Sequence, residues 1–161
     1  VASCGTDGPW TGAITHLGYP LFFKENFMHK VYGNIPANFQ IQSTACNGVM
    51  KGAGRSLAIV NNTLFYKSRN GVCVYDGSLP TEIGTAFGNI HYSGVDETLE
   101  GDYPLTCGAV AGAFGNKYFI SMRSEADGKW NLFNYDMLAR CWHREDETRA
   151  EAFCACRNEL Y

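Results

Sequence analysis

Three stretches of this chain follow one script, and a fourth begins it again. Gly18-Tyr19-Pro20-Leu21-Phe22-Phe23-Lys24 is followed, after a short polar break, by His29-Lys30-Val31-Tyr32-Gly33. Asn61-Asn62-Thr63-Leu64-Phe65-Tyr66-Lys67 leads through Arg69-Asn70-Gly71 into Val72-Cys73-Val74-Tyr75-Asp76-Gly77. Gly115-Asn116-Lys117-Tyr118-Phe119-Ile120-Ser121 leads through Asp127-Gly128 into Trp130-Asn131-Leu132-Phe133-Asn134-Tyr135-Asp136, and Arg157-Asn158-Glu159-Leu160-Tyr161 opens a fourth copy. Aligned on Leu21, Leu64, Tyr118 and Leu160, the copies lie 43, 54 and 42 residues apart. The distance from anchor to closing tyrosine is 11 at Tyr32, 11 at Tyr75 and 17 at Tyr135, which assigns six extra residues to the third hairpin loop.

Each copy reads as four short strands. Ahead of the anchors lie small-residue runs such as Ala13-Ile14-Thr15-His16, Ala109-Val110-Ala111-Gly112-Ala113-Phe114 and Ala152-Phe153-Cys154-Ala155-Cys156. Beyond the tyrosines an apolar position recurs at Phe39, Ile83 and Trp142. Asn70-Gly71 and Asp127-Gly128 have the positive-φ chemistry of tight hairpins, which makes the second and third strands antiparallel neighbours. Four-stranded units at this period are the blades of a β-propeller, and apolar residues on both faces of the second strands fit a sheet sandwiched between neighbours. The expectation is an all-β propeller segment: units over 11–50, 55–90 and 108–146, three complete blades, and the first half of a fourth over 150–161. Three and a half blades leave open faces, so a larger ring, or a half-ring closed by association of copies, is expected to cover them. A chain opening at Val1 is expected to be a processed product or a piece of something longer.

Composition supports strands over helices. The 22 aromatic residues outnumber the 16 acidic ones, and Gly and Pro together number 23. A net charge of −3 and a sequence pI near 5.8 provide no basic field for nucleic acid or an anionic membrane. The longest uncharged run, Val31 to Met50, is interrupted by Gly33, Asn34, Pro36, Asn38, Gln40 and Gln42, so no membrane span is expected.

Chemistry is sparse. Seven cysteines, at 4, 46, 73, 107, 141, 154 and 156, form no C-x-x-C pair and read as small buried residues rather than as metal ligands. Residues 91–106 depart from the repeat and carry Asp96, Glu97, Glu100 and Asp102, without the spacing of a calcium loop. The run His143-Arg144-Glu145-Asp146-Glu147 places histidine beside carboxylates, but neighbours on a strand point in opposite directions. No catalytic residue, cofactor or metal is expected. Trp10, Tyr19, Asp96, Glu97, Glu100 and Asp102 stand off the repeated pattern and are the candidate surface contacts.

Ser124-Glu125-Ala126-Asp127-Gly128-Lys129-Trp130 resembles the Asp-box hairpin of sialidase propellers, with one residue more between Ser and Asp, and implies a structural turn. Tyr135-Asp136 through Cys141-Trp142 resembles the Tyr-Asp-turn-Trp segment of kelch-type blades, in which the Asp accepts bonds from the turn backbone while Tyr and Trp pack between sheets. The string from Lys129 to Asp146, with Leu64-Phe65-Tyr66-Lys67 and Val74-Tyr75-Asp76-Gly77, is similar to propeller-type virion proteins encoded by phages and prophages of gut Firmicutes. That resemblance implies a non-catalytic tail or neck component, located in the virion. Its implied partners are other virion proteins, further copies of itself, or host surface glycan. The alternative is a glycan-binding or glycan-cleaving, sialidase-like propeller module.

Overall fold

Four tight turns, each opening on a residue with left-handed backbone, set the architecture. Leu17 (φ 50°), Asn61 (φ 47°), Gly115 (φ 58°) and Arg157 (φ 57°) each follow the first strand of a sheet and turn the chain directly into the second. The computed structural model describes residues 4–84, 92–93 and 108–161, and within these the chain is all-β, with two single turns of 3-10 helix and no α-helix.

Three four-stranded antiparallel ladders and one hairpin result. The first sheet runs β1 (Gly12–His16), β2 (Tyr19–Lys24), β3 (Phe27–Tyr32) and β4 (Gln40–Ala45), each strand beside the next. The second runs β5 (Ala58–Val60), β6 (Thr63–Lys67), β7 (Val72–Tyr75) and β8 (Thr81–Glu82). After β9 (Tyr92–Ser93) comes the third, β10 (Val110–Phe114), β11 (Lys117–Ser124), β12 (Trp130–Asp136) and β13 (Cys141–Asp146), with β9 pairing the far end of β11. The hairpin of β14 (Ala155–Cys156) and β15 (Glu159–Leu160) closes the described chain.

Register corrects the sequence alignment by one residue. Counted from the turns, the copies begin at 17, 61, 115 and 157, so Pro20, not Leu21, corresponds to Leu64, Tyr118 and Leu160. In the ladders Leu64 faces Tyr75 and Tyr118 faces Tyr135, whereas Leu21 faces Lys30, which gives Val31 rather than Tyr32 the place of the closing tyrosine. A one-residue offset exchanges the two faces of a strand, so Phe22 is the counterpart of Tyr66 and Ile120. The fourth-strand positions shift as well: Ile41 pairs with Val31 as Trp142 pairs with Tyr135, and Phe39 precedes β4 and stays exposed. The third hairpin places four of its six additional residues in two further ladder pairs, Met122 with Asn131 and Arg123 with Trp130, before turning through 124–129.

The second hairpin also differs from expectation. Gly128 has φ 71°, but neither Asn70 nor Gly71 has a positive φ. That turn is closed instead by Ser68, whose backbone and hydroxyl both bond to Gly71. The Asp turns behave as the sequence indicates. Asp136 Oδ1 accepts from the backbone N–H groups of Leu138 and Ala139 at 2.8 and 3.0 Å, and Asp76 Oδ1 accepts from Ser78 N at 3.0 Å. Tyr135 and Trp142 pack with ring centroids 5.2 Å apart, and the indole N–H reaches Ile83 O of the second sheet.

The core lies between sheets. Phe23 packs on Tyr66 at 5.0 Å between first and second, while Phe65 stacks on Tyr118 at 4.8 Å between second and third. The phenol groups are satisfied by backbone carbonyls: Tyr66 by Asn47 O and Tyr118 by Ser56 O. Small residues in the first strands permit the approach, since a Cβ on Gly12 would lie 2.8 Å from Leu57 Cδ1 and one on Gly112 would lie 2.5 Å from Phe153 Cβ. Phe119 and Phe153, centroids 6.4 Å apart, join the third sheet to the last hairpin.

Candidate functional site: the open face of the first sheet

On the first sheet, alternation along β2 directs Leu21 and Phe23 toward the second sheet and Pro20 and Phe22 away from it. Cross-strand partners share a face, so His29 (opposite Phe22), Ser43 (opposite His29) and Ile41 (opposite Val31) belong with Phe22. In the second sheet the corresponding face, carrying Leu64, Tyr66, Cys73 and Tyr75, is fully buried. In the first sheet Phe22 is 40% exposed.

The segment ahead of β1 crosses part of this face. Thr11 N donates to Phe23 O, Thr6 Oγ1 lies 3.0 Å from His29 Nε2, and Ser43 Oγ lies 2.8 Å from His29 Nδ1. Lys24 Nζ donates to Thr6 O at 2.5 Å and sits 4.7 Å from the centre of the Trp10 ring. Trp10 meets Phe22 and His29 edge-on, at 6.0 and 5.1 Å. Beneath this strap lies an apolar cavity of about 480 Å³ lined by Cys4, Trp10, Phe22, His29, Val31 and Ile41. A second hollow of about 350 Å³, bounded by Pro20, Phe22, Val31, Gly33, Phe39 and Ile41, continues it across the sheet.

Burial, aided by the nearby Lys24 ammonium, holds the His29 imidazole below its ordinary pKa. Both ring nitrogens are engaged by hydroxyls, which fixes the ring as a wall of the cavity. The surface is apolar and aromatic, with the His29 ring held between two hydroxyls at its floor.

Of the expected contacts, Trp10 is part of this site. Tyr19 is on the opposite face, where it packs on Tyr32 at 5.1 Å and carries Lys30 Nζ 4.2 Å above its ring. Asp96, Glu97, Glu100 and Asp102 lie outside the described residues. The sequence singles out none of Phe22, Val31, Ile41 and His29 as contacts: Leu21-Phe22-Phe23 is apolar on both sides, and alignment on Leu21 puts Phe22 one position out of step with Tyr66 and Ile120. The phased signal was the pair of residues ahead of β2, which recurs as Leu17-Gly18, Asn61-Asn62, Gly115-Asn116 and Arg157-Asn158.

Among the described residues no three His, Cys, Asp or Glu side chains come together to hold a metal ion, and no helix is long and apolar enough to cross a membrane. No protein-family description matches the chain, and no curated protein is significantly similar to it.

Proposed function

We propose that this chain is a segment of a β-propeller acting as a non-catalytic protein-interaction module, as a tail or neck component of a phage or prophage particle. One observation carries the interaction reading: the face of the first sheet repeats, position for position, a face that the second and third sheets use to pack on a neighbour, yet Phe22 stays open. An exposed aromatic face flanked by hollows is the mark of a surface that meets another protein. Its occupant is another blade, from a further virion protein or a further copy. The particle assignment rests on the resemblance of the third repeat to virion propellers, and the four-stranded sheets are compatible with it.

Mass spectrometry of purified particles tests the location. Peptides of this chain in the particle fraction, at a fixed ratio to other structural proteins, are expected. Accumulation in the cell without incorporation overturns the virion reading. The glycan alternative draws on the exposed Trp10, and saturable binding on a glycan array that is lost in Trp10→Ala is the outcome that favours it.

A further inference from the structure

Away from the open face, β13 places a thiol and an imidazole side by side. Cys141 and His143 are two apart on the strand and so share a face, with Cys141 Sγ 3.2 Å from His143 Nε2. Cys141 is half-exposed and His143 exposed, so a small molecule reaches both. Cross-strand pairing sets Asp136 opposite Cys141 and Lys117 opposite Asp136, while Asn134 stands opposite His143. Arg140, with φ 53°, precedes Cys141 in the turn, and Glu145, the residue at the register shift of β13, accepts from Asn134. Asp136 is held below the ordinary carboxylate range by the Ala139 and Leu138 N–H groups, with Lys117 and His143 adding to the effect.

We propose that Cys141 is a modification site: a reactive thiol, assisted by His143, that exchanges with small disulfides. A thiol within hydrogen-bond reach of an imidazole loses its proton to that base as it attacks. Here the proton passes from Cys141 Sγ to His143 Nε2, leaving positive charge near Asp136. The thiolate attacks one sulfur of a disulfide R–S–S–R, the R–S–S–R bond breaks, and a Cys141–S–S–R bond forms. The departing RS⁻ takes the proton from the imidazolium and leaves as RSH, so the exchange balances without a further oxidant.

The other described cysteines are less suited: Cys4 lines the cavity beside His29, but both nitrogens of that ring are engaged by Thr6 and Ser43. Burial pushes Cys46 up to about 11 and raises Cys73. Cys154 and Cys156, read from the sequence as buried, are exposed instead, but no described imidazole lies within hydrogen-bond reach of either, and Cys154 Sγ is directed at Ala155 O at 3.9 Å.

The test treats the native chain with glutathione disulfide between pH 6 and 9 and follows each cysteine by peptide mass spectrometry. Cys141 is expected to become glutathionylated first, about 10-fold faster than Cys154 or Cys156 near pH 7. In His143→Gln that lead is expected to collapse. Faster reaction at Cys154 or Cys156 in the native chain overturns the proposal. So does a Cys141 rate and pH profile unchanged by His143→Gln.

Discussion

The second sheet and the first are built from the same repeat, yet one is buried on both faces and the other on one. Tyr66 in β6 is fully buried, with Phe23 against its ring and Asn47 O on its hydroxyl. Phe22, at the same place in β2, is 40% exposed, and among the described residues its one ring partner is Trp10, met edge-on. The difference shows that burial here belongs to the neighbour, not to the residue: an aromatic at this position is core when another sheet stands in front of it and contact surface when none does. The largest expected effect follows. Tyr66→Ala is expected to cost about 3–5 kcal/mol in urea denaturation and Phe22→Ala about 1. Equal costs would break the comparison.

A second contrast lies between the two ends of the packed stack. At the first junction a Cβ on Gly12 meets the far end of the Leu57 side chain, whereas at the last a Cβ on Gly112 meets the Cβ and Cγ of Phe153, which cannot swing away without moving the hairpin. Gly112→Ala is therefore expected to cost about 1–3 kcal/mol and to loosen β14–β15, and Gly12→Ala clearly less. Proteolysis with site mapping checks it, with new cleavage near 150–158 in the Gly112 variant only.

Alkaline pH separates the sheets by chemistry. Burial, with the Cys73 and Cys46 thiols adding, raises the Tyr66 phenol far above its ordinary value, and burial does the same for Tyr118. The folded chain keeps these protons while the unfolded chain releases them above about pH 10, so stability falls as pH rises through that value. Cys46 and Cys73, also raised, contribute in the same direction from a lower pH. Lys67 opposes them: burial lowers it to about 8, so between 8 and its unfolded value the unfolded chain holds the extra proton and stability rises with pH. Each tyrosine contributes at most about 1.4 kcal/mol per pH unit in its window. Tyr66→Phe is expected to flatten the alkaline decline and Lys67→Met to steepen it, measured by denaturant midpoints between pH 7 and 11. An unchanged slope in both variants breaks the assignment.

Strand order, the small first strands, the Asp turns and the presence of a repeat follow from residue type and spacing, because turn chemistry and period are local properties. The face of β2 does not. Leu21-Phe22-Phe23 offers apolar side chains on both sides, so periodicity there carries no phase, and alignment on Leu21 falls one residue out of step. The phase resides in the turn ahead of it, where left-handed backbone is compulsory. The cavity depended on a further non-local fact, the return of Thr6 and Trp10 across β3, which no pattern within β3 announces.

Those turns supply the smallest and most local comparison. Leu17 and Asn61 hold the same left-handed place, at φ 50° and 47°, in the first and second sheets. A leucine there bears the contact between its Cβ and the following carbonyl oxygen, whereas asparagine tolerates the conformation. Leu17 is 56% exposed, so its side chain gives little burial in return. Leu17→Asn is expected to stabilise the chain by about 0.5–1 kcal/mol. The reverse change in the second sheet removes more than backbone comfort, since Asn61 Nδ2 donates to Asn116 Oδ1 at 2.7 Å and so ties the turn of one sheet to the turn of the next. Asn61→Leu is thus expected to cost about 1–2 kcal/mol, strain and lost hydrogen bond together. If the two substitutions prove equal and opposite in thermal denaturation, backbone conformation alone accounts for the position and the bridge between turns contributes nothing. A larger loss at Asn61 makes the turns themselves part of what holds neighbouring sheets in register.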